Sequence, residues 1–221
     1  MKIIAMNASP RGSGSMTRKL VEAVLAGARE KGAEVEFVDL CELDIGYCTA
    51  CGTCYATGDC PLSDDADALI DRMRDADAIV LGSPNYINSV TAQLKTLFDR
   101  MGDCVHCQVL SGKYGAAVCT AGGSRADEVV TYMNETLFLM GATIVGGVGE
   151  IMADGPDSFE HAVAEAHRLG GMLADAVRSG MTDPDQEATR APLREHFRNL
   201  VTFRKDEWAH DYEYWSAMGW L

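Results

Sequence analysis

From Lys2 to Val177 the chain repeats one rhythm: a short apolar, β-branched run, a turn rich in Gly, Ser or Asn, then a stretch with helical spacing. This alternation restricts the fold more than any other feature, because parallel strands need long crossovers and a helix makes the most compact one. Strands are predicted at 2–6, 34–38, 78–82, 114–119 and 143–147. All but the second, which is half charged, are nearly continuous apolar runs, as strands covered on both faces require. Helices are predicted at 17–31, 65–75, 92–101, 124–140 and 158–179, with Thr17 and Ser124 as N-caps. The expected fold class is α/β, a doubly wound five-stranded parallel sheet. Ligands of such open sheets sit beyond the carboxyl ends of the strands, so loops 7–16, 83–91 and 120–124 are expected to share one crevice.

After Gly180 the composition turns polar at Thr182-Asp-Pro-Asp-Gln-Glu-Ala, and a boundary is expected near residue 181. This gives a main domain over 1–180, with a cysteine-rich loop at 41–63, and a C-terminal extension over 181–221. The extension holds all three tryptophans, Trp208, Trp215 and Trp220, together with Tyr212 and Tyr214. So much aromatic surface must dock, on its own domain or on a neighbouring subunit.

The formal charge of -14 opposes attraction to nucleic acid or anionic lipid, since a polyanionic surface repels another polyanion. No stretch stays apolar for the roughly 18 residues of a membrane span. The N-terminus lacks the basic flank and long apolar region of a signal peptide. A cytoplasmic location is therefore expected. The eight cysteines fit the same setting: four crowd into Cys48 to Cys60, which suits a cluster or metal in a reducing compartment better than a disulfide scaffold.

The first turn after a strand reads Asn7-Ala-Ser-Pro-Arg-Gly-Ser-Gly-Ser-Met-Thr17. Hydroxyls, a guanidinium and the amides of a helix N-terminus together satisfy a phosphate dianion, and the glycines let backbone approach it. Neither G-x-x-x-x-G-K-[ST] nor G-x-G-x-x-G is present, which argues against nucleotide triphosphate hydrolysis and a dinucleotide fingerprint. The third strand ends in Gly82-Ser-Pro-Asn-Tyr-Ile-Asn-Ser, followed by Leu94-Lys-Thr-Leu-Phe-Asp-Arg100. Pro84 stiffens this turn, and Asn85, Tyr86, Ile87 and Asn88 offer backbone donors and flat or apolar surface to a planar ring. A third loop, Thr120-Ala121-Gly122-Gly123, leaves room for close approach.

These motifs, in this order over residues 1–180, resemble the flavodoxin-like NAD(P)H-dependent FMN reductases and in particular the iron–sulfur flavoproteins. The resemblance implies a flavodoxin-like sheet. It assigns the FMN phosphate to Ser9, Arg11, Ser13, Ser15, Met16 and Thr17, and the flavin ring to the 84–88 and 120–123 loops.

Cys48, Cys51, Cys54 and Cys60 follow the spacing C-x2-C-x2-C-x5-C. Soft thiolates select zinc or an iron–sulfur cluster, and short x2 spacings suit three corners of a [4Fe–4S] cube. The position of the motif, between the second strand and the helix start at Asp64-Asp65, also resembles the iron–sulfur flavoproteins. Structural zinc, a cluster-free reductase that retains its cysteines and a thiol–disulfide pair remain alternatives. Cys104-Val-His-Cys107 offers too few ligands for a closed site and reads as two incidental thiols. Cys41 and Cys119 are expected in the core, as are Met133 and Met140. His161, His167, His196 and His210 lack partner spacing and are read as surface or packing residues.

The expected function is an FMN-dependent oxidoreductase with a [4Fe–4S] cluster, passing electrons between NAD(P)H or ferredoxin and an acceptor. The alternatives are a cluster-free NAD(P)H-dependent FMN or quinone reductase and a non-enzymatic flavodoxin-like carrier. The flavin supplies the chemistry, so no catalytic side chain is assigned. A homodimer or homotetramer is expected.

Overall fold

A computed structural model describes all residues, 1–221. In chain order the elements are β1 (Lys2–Asn7), α1 (Met16–Glu30), β2 (Glu34–Asp39), α2 (Thr53–Thr57), α3 (Ala66–Asp75), β3 (Ala78–Pro84) and α4 (Ala92–Arg100). They continue as α5 (Gly102–His106), β4 (Tyr114–Ala121), α6 (Ala126–Leu139), β5 (Thr143–Ile151), α7 (Pro156–Ser179), α8 (Pro184–Phe203) and α9 (Ala209–Ala217). The five strands pair in parallel in the order β2-β1-β3-β4-β5, the flavodoxin-like topology. Strand order reverses between β1 and β3, so their carboxyl ends open the crevice in which such sheets bind ligands.

Alternate residues of the central strands feed two cores. Ile4, Met6, Ile79 and Leu81 pack on one face with α3, α4 and α6, while Ile3, Ala5, Val80 and Val118 pack on the other with α1 and α7. Helices α1 and α7 touch through glycines: a Cβ at Gly27 would lie 1.9 Å from the His167 carbonyl oxygen, and one at Gly170 would lie 1.8 Å from that of Val24. Met133 and Met140 are core residues as expected.

Both predicted N-caps are displaced. Ser15 caps α1, its hydroxyl accepting from the Arg18 amide at 3.1 Å, while Thr17 lies inside the helix. Helix α6 begins after Arg125, which holds φ 64 and makes no side-chain cap, so Ser124 stays in the loop. Cys119 is buried as expected, but Cys41 is only half-buried, because the chain leaves β2 in a short 3-10 turn over Leu40–Glu42.

The C-terminal extension folds as α8 and α9 and packs on its own chain. Trp215 is fully buried with Phe197 and Val201, and its indole donates to the His106 carbonyl at 2.9 Å. Gln186 caps the outer edge of β5 as a strand would: its side-chain oxygen accepts from the Ile144 amide and its nitrogen donates to the Ile144 carbonyl, each at 2.8 Å. This covers an edge that would otherwise be open to pairing.

Candidate functional site

The loops after β1, β3 and β4 are fastened to one another before any ligand is considered. Thr91 donates its hydroxyl to the Ala8 carbonyl at 2.9 Å and its amide to the Ser83 hydroxyl at 3.0 Å. The Thr17 and Thr120 hydroxyls meet at 2.6 Å, and the Asn85 amide donates to the Thr120 carbonyl at 2.8 Å. A preorganised groove results. Its lining includes Ser9, Arg11, Ser15, Met16, Thr17, Pro84, Asn85, Tyr86, Thr120, Ala121 and Gly122. The three loops expected to converge do so.

Ser13, Ile87, Asn88 and Gly123 stand outside this lining. Ser13 is exposed in the 3-10 turn Gly12–Gly14. Ile87 and Asn88 form the tip of a tight turn closed by mutual hydrogen bonds of Tyr86 and Ser89, with φ of 50 and 62. A β-branched residue at positive φ is strained, and Ile87 is also 98% exposed, so this tip gives up local comfort for a fixed, outward-facing shape. Met152 also lines the groove, and sequence reasoning missed it: β5 runs to Ile151 rather than stopping at residue 147, and so delivers Met152 to the crevice.

Arg11 is the one charged residue in the lining. In the first turn of α1 the Arg18 amide is taken by the Ser15 hydroxyl and the Lys19 amide by the Ser15 carbonyl, which leaves those of Met16 and Thr17 free. This end of the groove is therefore built for an anion. No atom of the protein occupies the space beside Gly122 and Gly123, and the buried Asn85 Oδ1 has no hydrogen-bond partner. The cavity holds about 180 Å³. Pockets that enclose a whole small molecule hold about 300–1,000 Å³, so a nucleotide seated here keeps part of itself outside the cavity.

The cysteine loop leaves the carboxyl end of β2 and is closed at its base by two aspartates. Asp64 accepts from the Gly46 amide at 2.9 Å, the Ala66 amide at 3.0 Å and the Arg100 guanidinium. Asp65 accepts from the Asp44 amide at 2.8 Å. Between these clasps Cys48 and Cys51 are exposed and Cys54 and Cys60 are half-buried. Ala50, at φ 54, donates its amide toward the Cys48 sulfur at 3.4 Å, and the Thr53 hydroxyl points at the Cys51 sulfur at 3.4 Å. That hydroxyl lowers the Cys51 pKa, whereas burial, with the Asp103 charge nearby, pushes Cys54 up to about 11.

Residues 1–154 match the protein family described as NADPH-dependent FMN reductase. The chain belongs to this family. Within it, an iron–sulfur flavoprotein of Archaeoglobus fulgidus is 35% identical over 226 residues, spanning 100% of both chains. One of Methanocaldococcus jannaschii is 34% identical over 190 residues, covering 80% of this chain and 98% of the relative. These likenesses place the chain in the family of the iron–sulfur flavoproteins, and the wider family makes it an oxidoreductase; an FMN-dependent NADH:quinone oxidoreductase of Dechloromonas aromatica is 34% identical over 75% of this chain and 96% of its own. Among solved structures, a flavone reductase superposes with a TM-score of 0.61 at 24% identity, covering 80% of this chain and 63% of the other. An archaeal flavodoxin gives 0.55 at 20%, over 80% and 99%. Both share the fold.

The chain carries a second polar cluster behind Cys54, made where the extension meets the end of α5. Asp211 of α9, fully buried, accepts from the Cys107 thiol at 3.6 Å and faces His106 Nδ1 at 3.0 Å. His106 stacks on Trp208 and packs at a tilt against Tyr55, the residue after Cys54. Cys104 and Cys107 are both buried, and burial with the carboxylates of Asp103 and Asp211 pushes their thiols far up. His210 brings its ring within 4.8 Å of the Cys107 and Asp211 ligand atoms. Nothing local in the chain marks this cluster, since Cys107 at the end of α5 and Asp211 of α9 are 104 residues apart. No helix is long and apolar enough to cross a membrane.

Proposed function

We propose that this oxidoreductase binds FMN in the groove at the ends of β1, β3 and β4 and carries a [4Fe–4S] cluster on Cys48, Cys51, Cys54 and Cys60. Electrons enter from NAD(P)H or a reduced ferredoxin and leave to an acceptor such as a quinone or a protein. The observation that carries the reading is the anion-shaped end of the groove: one arginine, two free helix amides and the hydroxyls of Ser9, Ser15 and Thr17. These groups match a phosphate monoester. The unpartnered Asn85 Oδ1 and the open space beside Gly122 suit a ring with polar edges.

When bound, the FMN exchanges one or two electrons and the cluster one. The chain's own part is binding and tuning. Arg11 and the α1 amides hold the phosphate, the Thr17–Thr120 pair keeps the first and third loops in register, and the Tyr86–Ser89 turn presents a rigid rim. At the cysteine loop the Thr53 hydroxyl and Ala50 amide offer hydrogen bonds to sulfur, the kind of contact that sets cluster potentials. Oligomerisation as a homodimer or homotetramer accords with a groove that leaves part of its nucleotide uncovered.

The test is anaerobic purification followed by iron, labile sulfide and flavin assay. The reading expects about four iron and four sulfide per chain, with FMN released on denaturation. Flavin with zinc, or flavin alone, removes the cluster; protein that stays colourless and ignores added FMN removes the whole assignment.

A further inference from the structure

Arg100, the last residue of α4, is buried to an unusual degree for a cation: its side chain is 1% exposed. One terminal nitrogen is fully used, donating to Asp64 and to the Gly46 carbonyl. Its Nε and its other terminal nitrogen are buried without any acceptor. Such orphaned donors carry a heavy desolvation penalty, and more so in a charged group, unless an anion completes them. The surroundings identify that anion. Arg100 lines a cavity of about 40 Å³ together with Cys54 and Cys60. Of the carboxylates that also line it, Asp71 and Asp103 are already paired with Arg74, at 3.4 and 3.5 Å, whereas Asp59 and Asp67 make no ion pair. Among the groups lining the cavity, Cys60 is the one whose charge acts most strongly on the guanidinium. Burial alone would lower the Arg100 pKa, yet it is raised by the Asp64 hydrogen bond and by the charges of Cys60 and Asp64.

We propose that Arg100 is a positioning residue for the cysteine loop, whose free N–H groups donate to the Cys60 sulfur in the cluster-bearing protein and raise the cluster's reduction potential. This rests on Cys48, Cys51, Cys54 and Cys60 being the cluster ligands. The direction follows from charge: reduction adds an electron to an anionic centre, and a hydrogen-bonding cation beside it stabilises the reduced state more than the oxidised. The same guanidinium, through Asp64 and Gly46, clamps the two ends of the loop, so one side chain fixes the geometry and the electrostatics together.

The experiment is an EPR-monitored redox titration of the anaerobically purified, FMN-loaded full chain, wild type against R100K and R100Q, with iron content and FMN affinity measured on each. Both variants are expected to lower the cluster midpoint potential, R100Q further than R100K, with FMN affinity unchanged. Lysine retains the charge but cannot serve Asp64 and the sulfur at once. If R100Q fails to hold iron, R100K decides. R100K with full iron content and the wild-type potential overturns the proposal. Wild-type protein without iron overturns both this and the reading beneath it, whereas a wild-type cluster whose potential ignores R100K and R100Q overturns this alone.

Discussion

The Asp64 carboxylate and the Arg100 guanidinium form a buried pair, 9% and 1% exposed, that joins the foot of the cysteine loop to the end of α4. Burial opposes ionisation of Asp64, but hydrogen bonds from Arg100 and from the Gly46 and Ala66 amides overcome it and hold its pKa below the usual carboxylate value. A pair this enclosed is expected to be costly to break from one side, because the partner charge remains buried.

Asp64→Asn is therefore predicted to lose about 3 kcal/mol of stability at pH 7, measured by urea unfolding. The sign of the pH dependence follows from the lowered pKa. The Asp64 contribution is full above the unfolded carboxylate pKa of about 3.9 and disappears as pH falls through the folded value. The gap between wild type and variant should thus narrow below about pH 4. Stability curves that stay parallel down to the acid limit would contradict it.

Arg11→Ala is predicted to weaken FMN binding about tenfold, since a charged hydrogen bond contributes about 1.5–3 kcal/mol and exposure reduces that. Calorimetric titration at two salt concentrations checks this. The wild type should lose more affinity than the variant as salt rises; equal losses would mean that Arg11 does not meet the phosphate.

Gly170→Ala should destabilise the fold without touching the groove. Its added methyl would collide with the backbone of Val24, which cannot move as a side chain tip can. A loss of about 1–3 kcal/mol is expected, with FMN affinity unchanged. A neutral effect would show that α1 and α7 are not packed this closely.

The thiols should react in an order set by burial. In iron-free protein treated with iodoacetamide, Cys51 is exposed and has a lowered pKa, so it should be alkylated early. Cys119, buried and pushed up to about 12, and the still more strongly shifted Cys104 and Cys107 should stay unmodified until unfolding. Peptide mass spectrometry that finds Cys104 modified before Cys51 would refute the packing of the extension over α5.

The sheet was legible in the sequence because β1, β3 and β4 are buried on both faces and so read as unbroken apolar runs, while the half-charged β2 and the partly exposed, still apolar β5 lie at the two edges. The phosphate loop and the turn after β3 were legible because loop chemistry there is local: Ser, Gly, Arg and Pro act where they stand. Cap assignment was harder. Ser15 and Thr17 are both hydroxyl residues two apart, and only the backbone decides which accepts from Arg18. Arg125 adopts a left-handed conformation that its residue type disfavours, so nothing local marked it as the start of α6. The five-residue helices α2 and α5 are too short to show a period. The clasp of Asp64 by Arg100 and the pairing of His106 with Asp211 span 36 and 105 residues, and only the folded chain brings them together.

Counting the electrons the protein accepts tests the central claim most directly. Anaerobic titration of the purified, FMN-loaded chain with dithionite should consume about three electron equivalents per chain, two for the flavin and one for the cluster. An end point at about two, with no further uptake, would mean that the cysteine loop holds no redox centre.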